Sequence, residues 1–222
     1  MDIRANFPQL PEDGTRKEIG RGTDSIVYRV DDYVYKVYKD GLLRPEQVEA
    51  YAELTNRVAE FVENEQAVGT IQLLGKPFTY STEVIPVLLV DRDISMTISS
   101  YEKGVRPWSI LSQSGGAGFH HDIKQFDDQK ESDFFRALWK QYQQTYLGEG
   151  DNREQRFLER QQARAVIGGE MKGRSRLLNT YFGVEGVDIV SQNVKMRKAP
   201  DRDHLRLVVT DLASVVQHVR KK

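Results

Sequence analysis

The sequence predicts an α+β protein: a five-stranded antiparallel sheet with one long helix, then a mostly helical second half closed by a hairpin. Three observations predict it. Glycine and aspartate turns separate short β-branched and aromatic runs over residues 15–38 and again over 83–100. Between them, Pro45 opens a long stretch of helical periodicity. From Ser132 onward apolar residues recur at helical spacing, and from Asn193 two apolar-rich runs flank a Pro/Asp loop that ends at Asp211.

Size and charge narrow the function. The 222 residues suffice for one large domain or two small lobes around a cleft, and 39% apolar residues can build a core. The 32 basic and 33 acidic residues nearly cancel, so no net field favours nucleic acid or a membrane surface as partner. The absence of cysteine excludes disulfides, thiolate catalysis and cysteine-ligated zinc, and it fits a reducing compartment. No early apolar run has signal-peptide form, and none approaches the ~20 residues of a membrane span. We therefore expect a soluble cytoplasmic protein.

Residues 1–14, with Pro8, Pro11 and Gly14, read as an arm or lid. From Thr15 a strand enters Gly20-x-Gly22-x-x-Ser25, and a second strand leaves through Val27 to Val30. An Asp31-Asp32 turn leads to a third strand, Tyr33–Tyr38. Glycines between strands let the backbone approach an anionic ligand, and their N–H groups suit phosphate oxygens. A dinucleotide fingerprint would place a helix after the glycines, whereas β-branched and aromatic residues follow here. Lys36 interrupts the third strand and shares a face with Val34 and Tyr38. A lysine on a largely apolar face either finds an anionic partner, snorkels, or guards a sheet edge.

In the helix from Pro45, residues Val48, Ala52, Thr55, Ala59 and Val62 form a packing stripe with Glu49, Glu53 and Glu60 beside it. Residues 71–82 read as extended and irregular. Glu83–Val90 and Ile94–Ser100, joined by a turn at Asp91–Asp93, supply the fourth and fifth strands. Residues 105–130, with Ser114–Gly118 and His120-His121-Asp122, read as a flexible connection rather than an anion cradle or zinc site, since adjacent histidines point apart on regular structure. Helices follow over Ser132–Tyr146, Asp151–Ile167 and Ser175–Phe182. In the final hairpin, Asn193 and Asp211 are equidistant from Arg202, so symmetric pairing would bring amide and carboxylate together. Such oxygen donors suit a hard cation such as Mg²⁺, and Asp188 lies five residues before Asn193.

These residues fall in an order that resembles protein kinases and their small-molecule-kinase relatives. Gly20, Gly22 and Val27 match the glycine-rich loop, with Ser25 for its third glycine. Lys36 resembles the lysine that holds the α and β phosphates, and Asp188-x-x-x-x-Asn193 with Asp211-Leu212-Ala213 resembles the catalytic loop and the metal-binding Asp-Phe-Gly segment. The resemblance implies a two-lobed fold: an arm over 1–14, a nucleotide-binding lobe over 15–104, and a reduced, mostly helical lobe with a catalytic hairpin over 105–222. It implies ATP and Mg²⁺ as cofactors. Lys36 would be oriented by Glu53, Asn193 and Asp211 would bind metal, and Asp188 would act as the acceptor's base. Residues 100–104, including Tyr101 and Glu102, would form the hinge that bonds adenine.

The pattern also departs from the family. Gly186-Val187 replaces the usual His-Arg, and eleven residues follow Asp211, without the activation segment and later peptide-binding helices. In this economy the chain resembles the small bacterial kinase-like proteins of the PhoP regulatory network family. The expectation is a phosphotransferase acting on a hydroxyl of a small molecule or of itself. The alternatives are a nucleotide-binding pseudokinase and an interaction module that binds no nucleotide.

Overall fold

A computed structural model describes residues 7–10, 17–22, 24–39, 42–65, 68–73, 76–106, 116–144, 168–169, 172–173, 175–176, 179–180, 193–200 and 204–212. The elements in chain order are β1 (Lys17–Arg21), β2 (Ser25–Val30), β3 (Tyr33–Tyr38), α1 (Pro45–Glu65), β4 (Val68–Leu73), β5 (Lys76–Val84), β6 (Val87–Asp91), β7 (Met96–Ser100), α2 (Gly116–Ile123), α3 (Gln129–Tyr142), β8 (Val194–Lys198) and β9 (His204–Val209). Among the described residues, no helix is long and apolar enough to cross a membrane.

The expected five-stranded antiparallel sheet is present, in the order β1-β2-β3-β7-β6. The β2–β3 hairpin closes through Asp31-Asp32 with Val30 opposite Tyr33. Asp31 has φ 51°, a left-handed conformation that aspartate tolerates in a two-residue turn. Two strand boundaries differ from expectation. Ile94 and Ser95 belong to the turn, so β7 starts at Met96. The run 83–90 is not continuous: Glu83 and Val84 end β5, and β6 starts at Val87. Pro86 lies between and has no N–H to give a ladder.

The sequence reading missed a second sheet. Residues 71–73 and 76–82, expected to be irregular, belong to two regular antiparallel strands, β4 and β5, in a four-stranded sheet ordered β4-β5-β9-β8. β5 runs parallel to β9, from Thr79 opposite His204 to Val84 opposite Val209. Strands from the first half of the chain therefore share a sheet with the C-terminal hairpin. Phe78, Tyr80, Thr82 and Val84 alternate inward along β5, the period of a half-buried strand.

The helix α1 packs against β5, β6 and β7. Its buried stripe of Val48, Tyr51, Ala52, Thr55, Val58 and Val62 joins Phe78, Tyr80, Val194, Leu205, Leu207 and Val209 in one core. The connection after 105 contains a helix, not only loop. In α2, Phe119 and Ile123 lie one turn apart and are buried, and Phe119 stacks on Trp139 of α3 at 4.8 Å between ring centroids. Glycines around its first turn hid the helix from the sequence. Asp128 caps α3 by accepting from the Lys130 N–H at 2.8 Å. The expected helix over Asp151–Ile167 lies outside the described residues; of Ser175–Phe182, residues 175–176 and 179–180 are described, and these are helical.

Residues 7–10 of the arm lie on the far face of the first sheet. Phe7 meets Tyr33 edge-on at 5.2 Å, and the Pro8 carbonyl accepts from the Tyr35 hydroxyl. Tyr33 and Tyr35 point away from the face that carries Lys36, so these residues do not cover Lys36 as a lid.

Candidate functional site

The site forms where β3, α1 and the end of β9 meet. Lys36 sits mid-strand on β3, between Val27 of β2 and Thr97 of β7. Its ammonium donates to both carboxylate oxygens of Asp211 at 2.9 Å each, across 175 residues of sequence. The Lys36 side chain is 12% exposed and that of Asp211 27%, so this is a largely desolvated pair. Tyr51 of α1 donates its hydroxyl to Asp211 Oδ1 at 3.0 Å. The ammonium of Lys36 also lies 5.0 Å from the Tyr51 ring centroid and 5.5 Å from that of Tyr38, inside cation–π range.

Two opposed effects act on Lys36. Burial, the largest single effect, lowers its pKa, but the charge of Asp211, the neighbouring Tyr38 and the hydrogen bond to Asp211 together raise it above the usual lysine value. Burial, and then the charge of Asp211, raise the Tyr51 phenol well above the ordinary tyrosine range. At neutral pH the site therefore holds a charged lysine and a neutral phenol, both aimed at one carboxylate.

The hairpin register differs by one residue from the symmetric expectation. Val194 pairs with Val209, and the Asn193 carbonyl accepts from the Thr210 N–H at 2.8 Å and the Thr210 hydroxyl at 3.1 Å. Asn193 thus stands opposite Thr210, with Asp211 one residue beyond the ladder. The side-chain amide nitrogen of Asn193 is buried and has no hydrogen-bond partner among the described residues. Asp188, the expected base, lies outside the described residues, as do Gly186 and Val187.

Glu53 does not meet Lys36. It is exposed on α1, while Asp211 takes the lysine. The helical period explains this: Glu53 lies two residues, about 200°, round the axis from inward-facing Tyr51. Glu60 is likewise exposed, and Glu49 pairs with Arg92. Sequence reasoning overlooked Tyr51. Its spacing from Val48, Thr55 and Val58 marked a phenol in an apolar stripe, which needs a hydrogen-bond partner when buried.

The glycine-rich turn closes on itself. Gly22 donates its N–H to the Ser25 carbonyl at 2.9 Å, and Lys39 reaches the Gly22 carbonyl at 2.9 Å. Val27 lies beneath it, opposite Gly20 across the β1–β2 ladder. Among the described residues, a Cβ on Gly20 would meet only Val27, at 3.8 Å, and one on Gly22 only the Ser25 carbonyl, also at 3.8 Å. Both are ordinary contacts, so the protein's own packing does not require glycine at either place.

The segment after β7 is anchored at several points. Tyr101 donates its N–H to the Asp32 carbonyl at 2.7 Å, and its ring lies 3.9 Å beneath the Arg29 guanidinium. Arg197 of β8 forms a fork with Glu131 of α3 at 2.9 Å, and reaches Glu102 at 3.2 Å. Gly104 permits the chain's close approach to β8, because a Cβ there would lie 2.7 Å from that of Lys195. Val105 and Met196 then exchange backbone hydrogen bonds at 3.1 and 2.8 Å. On α2, His120 and His121 are exposed while Asp122 turns inward to Arg106 at 3.0 Å, so the three do not converge.

As oxygen donors, Asp211 and Asn193 suit a hard cation in kind. A carboxylate offers about four lone-pair sites, and Lys36 and Tyr51 use three of those on Asp211.

No family description and no curated protein matches the chain. Among solved structures, the chain is similar to APH(2")-IIa, determined as a ternary complex with streptomycin and ATP, at 16% identity and a TM-score of 0.33. The similarity covers 89% of this chain, which spans 64% of that one. At that score the superposition is too loose to transfer any residue's role.

Proposed function

We propose that the chain is an ATP- and Mg²⁺-dependent phosphotransferase of kinase-like fold, with the nucleotide seated between residues 15–104 and 105–222. The observation that carries the reading is the Lys36–Asp211 contact. It brings a largely buried lysine from the glycine-turn sheet onto a carboxylate that follows the C-terminal hairpin, one residue past Thr210, the backbone partner of Asn193. Phosphoryl transfer needs positioning and charge neutralisation more than covalent help from the protein, so this small set is sufficient.

In this reading, the turn at Gly20, Gly22 and Ser25 covers the phosphates through its backbone, with Val27 beneath. Lys36 holds phosphate oxygens as a fixed cation. Asp211 and Asn193 hold Mg²⁺, whose chemistry when bound is to neutralise charge on the phosphates. Asp188 takes the proton of the acceptor hydroxyl. The backbone of residues 100–104, including Tyr101 and Glu102, presents the edge that receives the base. The acceptor is a small molecule or the chain itself.

Mg²⁺-ATP is expected to raise the melting temperature in proportion to the logarithm of its concentration. Transfer of the γ-phosphoryl group to water or an acceptor should be lost in Asp188→Asn. No thermal shift at millimolar Mg²⁺-ATP would reject nucleotide binding altogether. A second reading is a nucleotide-binding pseudokinase, supported by Gly186-Val187 and by a Lys36 that is already paired with Asp211. A thermal shift without turnover would establish it.

The glycine turn gives a separate test. Gly20→Ala and Gly22→Ala should change stability by no more than about 1 kcal/mol in either direction, since a methyl group fits at both. Mg²⁺-ATP affinity should fall about tenfold or more as a backbone donor to a charged phosphate is displaced. Paired urea unfolding and calorimetric titration read both quantities. Unchanged affinity would remove the turn from the binding site.

A further inference from the structure

We infer that Tyr51 is the positioning residue of this site: its hydroxyl on α1 sets the Asp211 carboxylate against Lys36, where the resemblance implies an acidic helix residue. The inference rests on the phosphotransferase reading and assigns a role within it.

Geometry and chemistry agree on this. The Tyr51 hydroxyl reaches Asp211 Oδ1 at 3.0 Å from a fully packed ring that meets Tyr38 edge-on at 6.0 Å and 71°. Thr55 fastens the helix backbone at the same turn, its hydroxyl donating to the Tyr51 carbonyl at 2.8 Å. None of the three glutamates beside the stripe competes for Lys36, because Glu53 and Glu60 are exposed and Glu49 is engaged by Arg92.

A neutral donor acts differently from a carboxylate here. A glutamate would repel Asp211 and draw Lys36 toward the helix, separating the lysine from the carboxylate. A phenol orients the carboxylate without neutralising it, and leaves Lys36 and Asp211 as each other's counter-ion while the site is empty of nucleotide. A carboxylate fixed on one side by a helix and on the other by the β9 terminus keeps its one remaining lone-pair site in a fixed orientation, which positioning catalysis requires.

Tyr51→Phe tests this, because it keeps the ring and removes only the oxygen. Phosphoryl transfer should lose about tenfold to a hundredfold in kcat, with KM for ATP within about twofold, since the misplaced group acts at the transition state. A second readout needs no nucleotide. In ligand-free protein, acetylation of Lys36 by acetic anhydride, followed residue by residue by mass spectrometry, should accelerate several-fold in Tyr51→Phe, with exposed Lys124 as internal reference. A ring that only fills space predicts no change in either quantity. Wild-type protection of Lys36 in Tyr51→Phe would overturn the assignment whether or not the chain turns over ATP. If the wild type neither binds nor transfers phosphate, the phosphotransferase reading fails while the acetylation result still decides what Tyr51 does to the pair.

Discussion

Asp211→Ala should destabilise the protein by about 3 kcal/mol, at the lower end of the range for stranding one member of a buried ion pair. Lys36→Met should cost no more than about 1 kcal/mol. The asymmetry follows from burial. Lys36 is the more desolvated partner, 12% exposed against 27%, so losing the aspartate leaves an uncompensated ammonium among Tyr38, Tyr51 and the sheet. Losing the lysine leaves a carboxylate that retains the Tyr51 hydroxyl and some water. Urea unfolding of both variants reads the difference, and equal effects would mean that the pair is more hydrated than its geometry indicates. Function should not follow the same asymmetry. Both variants should lower kcat/KM for phosphoryl transfer by about 10²–10³ or more, as removal of a fixed charge-stabilising group does elsewhere. A Lys36→Met variant with wild-type turnover would sink the phosphotransferase reading while leaving the stability argument standing.

The pair also predicts an alkaline signature. Lys36 titrates above its unfolded value, so its stabilising contribution is fully present below the ordinary lysine pKa and is lost as pH rises through the raised folded pKa. Lys36→Met should flatten this part of the stability profile. It should leave the neutral region unchanged in shape.

How much of this was legible in the sequence depends on whether the deciding contact was local. Lys36 stood out because a period of two put a charge on an apolar strand face, and the structure gives it a carboxylate partner. The first sheet was legible for the same reason: its hairpins close over short turns. Tyr51 was left out of the expected stripe, and its partner lies 160 residues away, where no local pattern names it. Glutamates beside that stripe were attractive because they are charged, yet charge places them on the solvent side of α1. The hairpin register was off by one because symmetry about Arg202 ignores how the loop divides its residues. The parallel pairing of β5 with β9 was the least legible feature, since it joins segments more than a hundred residues apart with no turn between them to signal it.

The sheet that holds that pairing can be tested at one glycine of its β4–β5 ladder. Gly69→Ala should destabilise the protein by about 3 kcal/mol, the upper part of the range for overpacking a well-filled core. Gly69 lies opposite Tyr80 across the β4–β5 ladder, and the Tyr80 ring folds directly over it. A Cβ there would lie 2.4–2.5 Å from Cζ, Cε1 and the hydroxyl of Tyr80. The ring cannot simply swing aside, because Tyr80 is fully buried in the core shared with α1, β8 and β9. Glycine therefore weakens β4 as a strand but admits the aromatic cover that holds it. Thr70→Ala, one residue along on an exposed position, should stay within about 0.5 kcal/mol and controls for strand propensity. The consequence reaches the site through the sheet. β5 pairs with β9 along six residues that end at Val209, two before Asp211, so a displaced Tyr80 shifts the strand that delivers the carboxylate to Lys36 and Tyr51. Gly69→Ala should accordingly speed acetylation of ligand-free Lys36, while Thr70→Ala should not. A neutral Gly69→Ala variant would show that β4 and β5 do not pack as described, and would remove the second sheet as the support of the site.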